Sequence, residues 1–208
     1  GNLDFLLFYN PNGFDAEVTV TAYQTGASPV AVSFKVGGGR RGGLAINDLP
    51  TFPRGVFSVV VTSRAADSAF DAQYKGVVAS QSHYDLVNNS AFAAMGDQGS
   101  TAQVVNNFSQ GLITNSDITL FNPGTSATTV TLTGTYISPG LPGLTRTYDI
   151  QPKTQLRLKG TDLGLVTDQH IGLRFRSSSN VSILATQSQR GEADATASSA
   201  DAGTRFFF

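Results

Sequence analysis

The chain has 208 residues, a net charge of −1 and only 14% charged residues, so it lacks the basic surface that binding to nucleic acid or to an anionic membrane requires. It contains no cysteine, which excludes disulfides, thiolate catalysis and cysteine-ligated metals. No apolar stretch approaches the roughly 20 residues of a membrane helix, so membrane insertion is not expected.

Short strands are predicted along the first half of the chain, because apolar and polar residues alternate there and turn-forming residues separate the runs. The predicted strands cover residues 5–9, 17–23, 30–36, 44–46, 56–62 and 74–81. Turns are predicted at residues 10–13, with the sequence Asn-Pro-Asn-Gly, and at the glycine-rich residues 37–43. Residues 65–72 are predicted to be an inserted surface loop, and residues 90–95 a single turn of helix.

The second half of the chain repeats this order. The sequence Leu-Phe-Tyr-Asn-Pro at residues 7–11 returns as Leu-Phe-Asn-Pro at residues 120–123, and each is followed by a strand rich in Val and Thr. The predicted strands cover residues 118–121, 130–137, 145–150, 155–158, 171–175 and 181–186. Because a repeat of this length is a domain rather than a solenoid unit, the sequence predicts two copies of one β domain, at residues 1–99 and 100–208.

One more strand, at residues 102–108, is predicted to bridge the copies, and its expected counterpart at residues 203–208 closes the chain. If the bridging strand pairs with the second copy, the first copy lacks a leading strand. The closing strand then has two alternatives: it docks in its own copy, or it completes the first copy of the next subunit and builds a head-to-tail polymer. The candidate residues of such a subunit interface are Phe5, Leu7, Phe206, Phe207 and Phe208.

The chain resembles the tandem immunoglobulin-like repeats of bacterial secreted and cell-surface proteins, in which a Leu-Leu-x-Asn-Pro turn opens each copy. The matching residues are 7–12 with 18–23 and 120–124 with 130–136, the closing segments 79–84 and 185–190, and the aromatic strands 104–108 and 205–208. The chain departs from the pattern because it contains no Trp. The resemblance implies an all-β fold of two tandem immunoglobulin-like β-sandwich domains, and an extracellular, non-enzymatic surface module.

No catalytic or metal-binding pattern stands out in the sequence. His83 and His170 occupy non-equivalent positions in the two copies, and no His-x-x-His spacing occurs. Acidic residues such as Asp67 and Asp71 lack the density of oxygen ligands that calcium requires. We therefore expect no catalytic residue, no metal and no cofactor.

Two functions remain open at this stage. The first is an extracellular structural protein, a subunit of a surface filament, sheath or layer whose partners are other copies of itself or cell-surface components. The second is an adhesin or carbohydrate-binding module of a larger surface protein, because sugars stack on flat aromatic rings. The candidate stacking residues are Phe52, Phe70, Tyr74 and Tyr84.

Overall fold

The computed structural model describes residues 2–86, 90–96, 101–110, 114–136, 140–166, 169–178, 181–191 and 202–206. In these ranges the protein is all-β, apart from three short 3₁₀ helices. The chain divides into two compact units, the first comprising Gly1–Leu86 with Ala93–Gly96 and the second Val87–Phe92 with Asp97–Phe208.

The first unit is built on two sheets. The strands are β1 (Asn2–Tyr9), β2 (Ala16–Tyr23), β3 (Val30–Val36), β4 (Arg41–Ala45), β5 (Ser58–Ala65), β6 (Val78–Asp85) and β7 (Ser90–Met95). One sheet has the order β3-β2-β5 and the other the order β4-β1-β6-β7. Short 3₁₀ helices lie at Ile46–Asp48 and, in the predicted inserted loop, at Ser68–Gln73.

The second unit repeats these strand orders and adds a strand, and its eight strands form one continuous sheet. Its strands are β8 (Ala102–Gln110), β9 (Thr114–Phe121), β10 (Thr128–Tyr136), β11 (Leu144–Ile150), β12 (Gln155–Lys159), β13 (Gln169–Ser177), β14 (Leu184–Gly191) and β15 (Ala202–Phe206), and a 3₁₀ helix lies at Thr161–Leu163. The order β11-β10-β13-β8 matches β3-β2-β5 with β8 added. The strands β12, β9, β14 and β15 match β4-β1-β6-β7. A single bridge, Gln110 to Asn115, joins β8 to β9.

Alternating residues of the strands fill a separate core in each unit. In β2 every second residue is buried, as the alternation of Val18, Val20 and Ala22 predicts, and β10 repeats this with Val130 and Leu132. The buried aliphatic and aromatic side chains of the first unit are Leu6, Phe8, Val18, Val20, Ala22, Val36, Ile46 and Phe52. The strand alternation predicted from the sequence is therefore confirmed in both units.

Two predictions about individual segments are wrong. Residues 90–95, predicted to form a turn of helix, form β7 and pair with β6. The counterpart of the closing strand is β7 rather than the strand at residues 102–108, because β15 pairs with β14 just as β7 pairs with β6, whereas β8 pairs with β13. The residues 102–108 thus supply a strand that has no equivalent among the described residues of the first unit.

Candidate functional site

The outer face of β1 and β6 carries exposed apolar side chains. Leu6 and Phe8 of β1 point into the core, so the residues between them lie on the opposite face. Its apolar members, which we call the apolar stripe, are Leu3, Phe5, Leu7 and Tyr9 of β1 with Val78 and Tyr84 of β6. All except the half-buried Phe5 are between 38% and 44% exposed. A contiguous apolar patch on a sheet face is typical of an interaction surface.

The equivalent face of the second unit is more polar. Four of the six stripe positions, those of Leu3, Phe5, Leu7 and Tyr84, are polar or charged there, whereas Phe121 and Leu184 take the positions of Tyr9 and Val78. Alignment of the two units on Asn10 and Asn122 places Asp117 opposite the position of Phe5 and Thr119 opposite that of Leu7. On this face Asp117 forms an ion pair with Arg157 of the neighbouring strand β12. The inner positions of Leu6 and Phe8, by contrast, are apolar and buried in both units, with Ile118 and Leu120 as their equivalents. The difference is therefore confined to the outer face, where the core does not dictate residue type.

The neighbouring strand β4 places a glycine beside Leu7 of the stripe. Gly43 lies opposite Leu7 in the register, and a Cβ atom added to Gly43 would lie 3.2 Å from Cδ2 of Leu7. In the second unit the position of Gly43 is taken by Arg157, opposite Thr119. A glycine beside Leu7 leaves room for its side chain on the sheet surface, whereas the second unit places a charge there.

One edge of the first unit is open. Among the residues that the structure describes, β5 has one neighbouring strand, β2, whereas its counterpart β13 has two, β10 and β8. The N–H of Ala66 donates to the carbonyl of Asp15 at 2.9 Å. Because hydrogen-bonded pairs alternate along an antiparallel ladder, the backbone groups of Val59, Val61 and Ser63 point away from β2. We call this outward side of β5 the open edge.

The core beside the open edge is incompletely covered. Register with β2 and β10 makes Val59 equivalent to Leu173 and Val61 equivalent to Phe175. Leu173 and Phe175 are 1% and 0% exposed, whereas Val59 and Val61 are half-buried. In the second unit thirteen core residues are buried and three half-buried, against eight and ten in the first, so the first unit has the more open core among the described residues.

The predicted interface residues fall in two places. Phe5 and Leu7 lie on the apolar stripe, as described above. Phe206 ends β15, whose residues pair with β14 of the same chain, and this arrangement favours the alternative in which the closing strand docks in its own copy. Phe207 and Phe208 lie outside the described residues.

The four candidate stacking residues do not form one surface. Phe52 is 3% exposed and packs edge-on against Phe57, so it is a core residue and not a stacking residue. Phe70 is 37% exposed, but its ring stacks on the ring of Phe14 with 4.5 Å between the ring centroids. The ring of Tyr74 also packs against that of Phe14. Tyr84 belongs to the apolar stripe.

The titratable residues of the described ranges include a close contact between a histidine and a carboxylate. Nδ1 of His83 lies 2.7 Å from Oδ1 of Asp4 on the neighbouring strand, and the N–H of Asp4 donates to Oδ1 of Asn47 at 2.7 Å. Burial raises the pKa of the Tyr148 hydroxyl, an effect that nearby Arg146 opposes. No group of three His, Asp or Glu residues that could hold a metal ion occurs in the described part of the chain.

Comparison with known proteins adds little to this geometry. No protein-family model matches the chain, and no curated protein matches it. A crystal structure described as Thermotoga maritima 1070 is similar over 54% of this chain and 96% of that chain, with 14% sequence identity and a TM-score of 0.44. Within the described residues, no helix has the length and apolar character to cross a membrane.

The sequence predicted Phe5 and Leu7 as interface residues, and it predicted that the first copy lacks a leading strand if residues 102–108 pair with the second copy. It did not predict that Leu3, Tyr9 and Val78 lie on the same stripe. The missed signal was a comparison of the two repeats: the residue pairs Phe5 and Asp117, and Leu7 and Thr119, differ in polarity at the same strand positions. Which strand of the first unit lies at the open edge was not predicted, because a strand pattern specifies which residues alternate and not which strand they pair with.

Proposed function

We propose that the chain is a non-enzymatic, extracellular structural protein made of two immunoglobulin-like β-sandwich domains, which assembles with other copies of itself into a surface filament, sheath or layer. The observation that carries the proposal is the apolar stripe. Four of its six positions are polar or charged in the sister unit, so the fold itself does not require apolar residues at those positions. The low content of charged residues agrees with an extracellular setting.

The physical argument concerns the free energy of burying the stripe. An exposed Leu or Phe side chain contributes about 1.5–3 kcal/mol when it is fully removed from water. A flat face with several such side chains suits contact with another extended surface better than it suits a small polar ligand. A second copy of the chain carries the same apolar stripe and therefore supplies a surface of this kind.

The first prediction exchanges a residue of the stripe for the one in the sister unit. Leu7→Thr is expected to weaken self-association by roughly tenfold, because it removes about 1–2 kcal/mol of apolar burial per interface. Sedimentation velocity across a concentration series measures the change. The matched control is Thr119→Ala, at the same position of the second unit, which is expected to leave assembly unaltered. A protein that stays monomeric at all concentrations, or a Leu7→Thr variant that assembles like the wild type, contradicts the proposal.

A second prediction concerns the manner of assembly, in which we propose that the C-terminal strand of one copy completes the first unit of the next. Since β15 pairs with β14 of its own chain, this joining requires β15 to leave β14 and to pair with the first unit of the next copy. Deleting residues 205–208 is then expected to abolish filaments in negative-stain micrographs. Unaltered filaments would exclude the C-terminal strand as the connector and leave the stripe as the basis of assembly.

A further inference from the structure

We infer that the open edge of β5 is an acceptor site for one extended peptide strand, which runs antiparallel to β5 and carries apolar residues at alternate positions. The inference rests on the proposed function in so far as both concern assembly, and it names the acceptor that a donated strand would use. The occupant is a strand with the apolar pattern of β8, and the inference does not depend on the stripe.

The first support is the occupant of the same edge in the sister unit. There, the N–H of Ser177 donates to the carbonyl of Thr101 at 2.8 Å, and β8 continues antiparallel along β13. Ser63 takes the register position of Ser177, since each lies opposite the matching residue of the central strand, Val18 or Val130. The outward N–H of Ser63 is thus placed as the first donor to an incoming strand.

The second support is the state of the side chains next to this edge. Ile171, Leu173 and Phe175 are fully buried where β8 is seated, while their equivalents in the first unit are half-buried. The equivalents are Phe57, Val59 and Val61. An incoming strand would therefore gain backbone hydrogen bonds and cover apolar surface at once, which is how strand addition combines affinity with sequence preference.

The register of β8 indicates what the acceptor prefers. Val105 lies opposite Leu173 and Phe108 opposite Ile171, with a register shift between them. The corresponding positions of a strand on β5 lie opposite Val59 and Phe57. We therefore expect a short segment with apolar residues at these two places to bind, and a segment with proline at one of them to be rejected, because proline cannot fill a ladder position.

The test uses the full chain and a synthetic peptide with the sequence of residues 101–110, Thr-Ala-Gln-Val-Val-Asn-Asn-Phe-Ser-Gln. Amide hydrogen exchange is followed by mass spectrometry at a protein concentration at which the chain is monomeric. A saturating amount of peptide is expected to slow the exchange of peptides covering β5 by about tenfold or more. β13, whose edge is occupied by β8, serves as the internal reference and is expected to be unaffected. The matched control is the same peptide with Val105→Pro, which leaves the protein itself untouched.

The outcomes separate this inference from the proposed function. Protection of β5 by the first peptide and not by the proline peptide supports the acceptor site, and it is expected equally in the Leu7→Thr variant. No protection, equal protection by both peptides, or protection only outside the first unit overturns it. Protection of β5 without any peptide at higher protein concentrations at which the chain is a dimer also overturns it, since two β5 edges would then pair with each other. If the chain binds the peptide but does not self-associate, the proposed function is contradicted and the acceptor site is not.

Discussion

Replacing Phe175 with alanine is expected to lower the free energy of unfolding of the second unit by about 3–5 kcal/mol. The ring is 0% exposed and lies in the centre of the core, on the strand between β10 and β8. Removing it deletes the largest fully buried side chain of this unit and leaves a cavity, which the surrounding strands are too constrained to close. Denaturant unfolding with hydrogen exchange resolved by segment measures the loss in each unit.

Replacing Val61, the equivalent of Phe175 in the first unit, with alanine is expected to lower the free energy of unfolding by less. The smaller size of valine is only part of the reason. Val61 is half-buried, whereas Val20, directly opposite on β2, is 0% exposed. Val20→Ala is therefore expected to cost about 2 kcal/mol and Val61→Ala about 1 kcal/mol or less, although both changes remove the same atoms. Equal costs at the two positions would show that β5 is as well covered as β2 and would contradict the description of the edge as open.

Much of this arrangement could be predicted from the sequence, because the strands of both units follow a clear alternation. The alternating valines of β2 and β3 predicted which face is buried, and the repeated Asn-Pro turn predicted that the two halves share a topology. Both features are local, so a single sequence carries them. The all-β fold is accordingly the most secure result of the sequence patterns.

The sequence did not reveal the features that depend on which strands pair with each other. Residues 90–95 contain three alanines, a residue depleted in strands, and become a strand by pairing with β6. The run Phe5 to Tyr9 is apolar at every position, so its pattern alone does not indicate that Leu6 and Phe8 are inside while Leu7 is outside. Likewise β8 has the pattern of a strand, but its place beside β13 depends on contacts distant in the sequence.

Replacing Asn10 with alanine is expected to lower the free energy of unfolding of the first unit by about 3 kcal/mol, which makes this turn residue as important as a core side chain. Asn10 is 0% exposed. Its amide nitrogen donates to the carbonyls of Phe14 and Val36 at 2.8 and 2.9 Å, and its Oδ1 accepts from the backbone N–H of Asn12 at 3.1 Å. Without the side chain these buried backbone groups lose partners that water cannot replace.

The second unit repeats the device and provides the control. The amide of Asn122 donates to the carbonyls of Ser126 and Ile150 at 2.9 and 3.1 Å, and its Oδ1 accepts from the N–H of Gly124 at 2.9 Å. Asn122→Ala should therefore destabilise the second unit by a similar amount. In each variant, hydrogen exchange should accelerate in the unit that carries the substitution and much less in the other. If the free energy of unfolding falls by less than about 1 kcal/mol in both variants, the Asn-Pro turn only connects the strands. If the loss is larger and confined to the altered unit, the repeated asparagine stabilises the contact of the first strand of each unit with its neighbours.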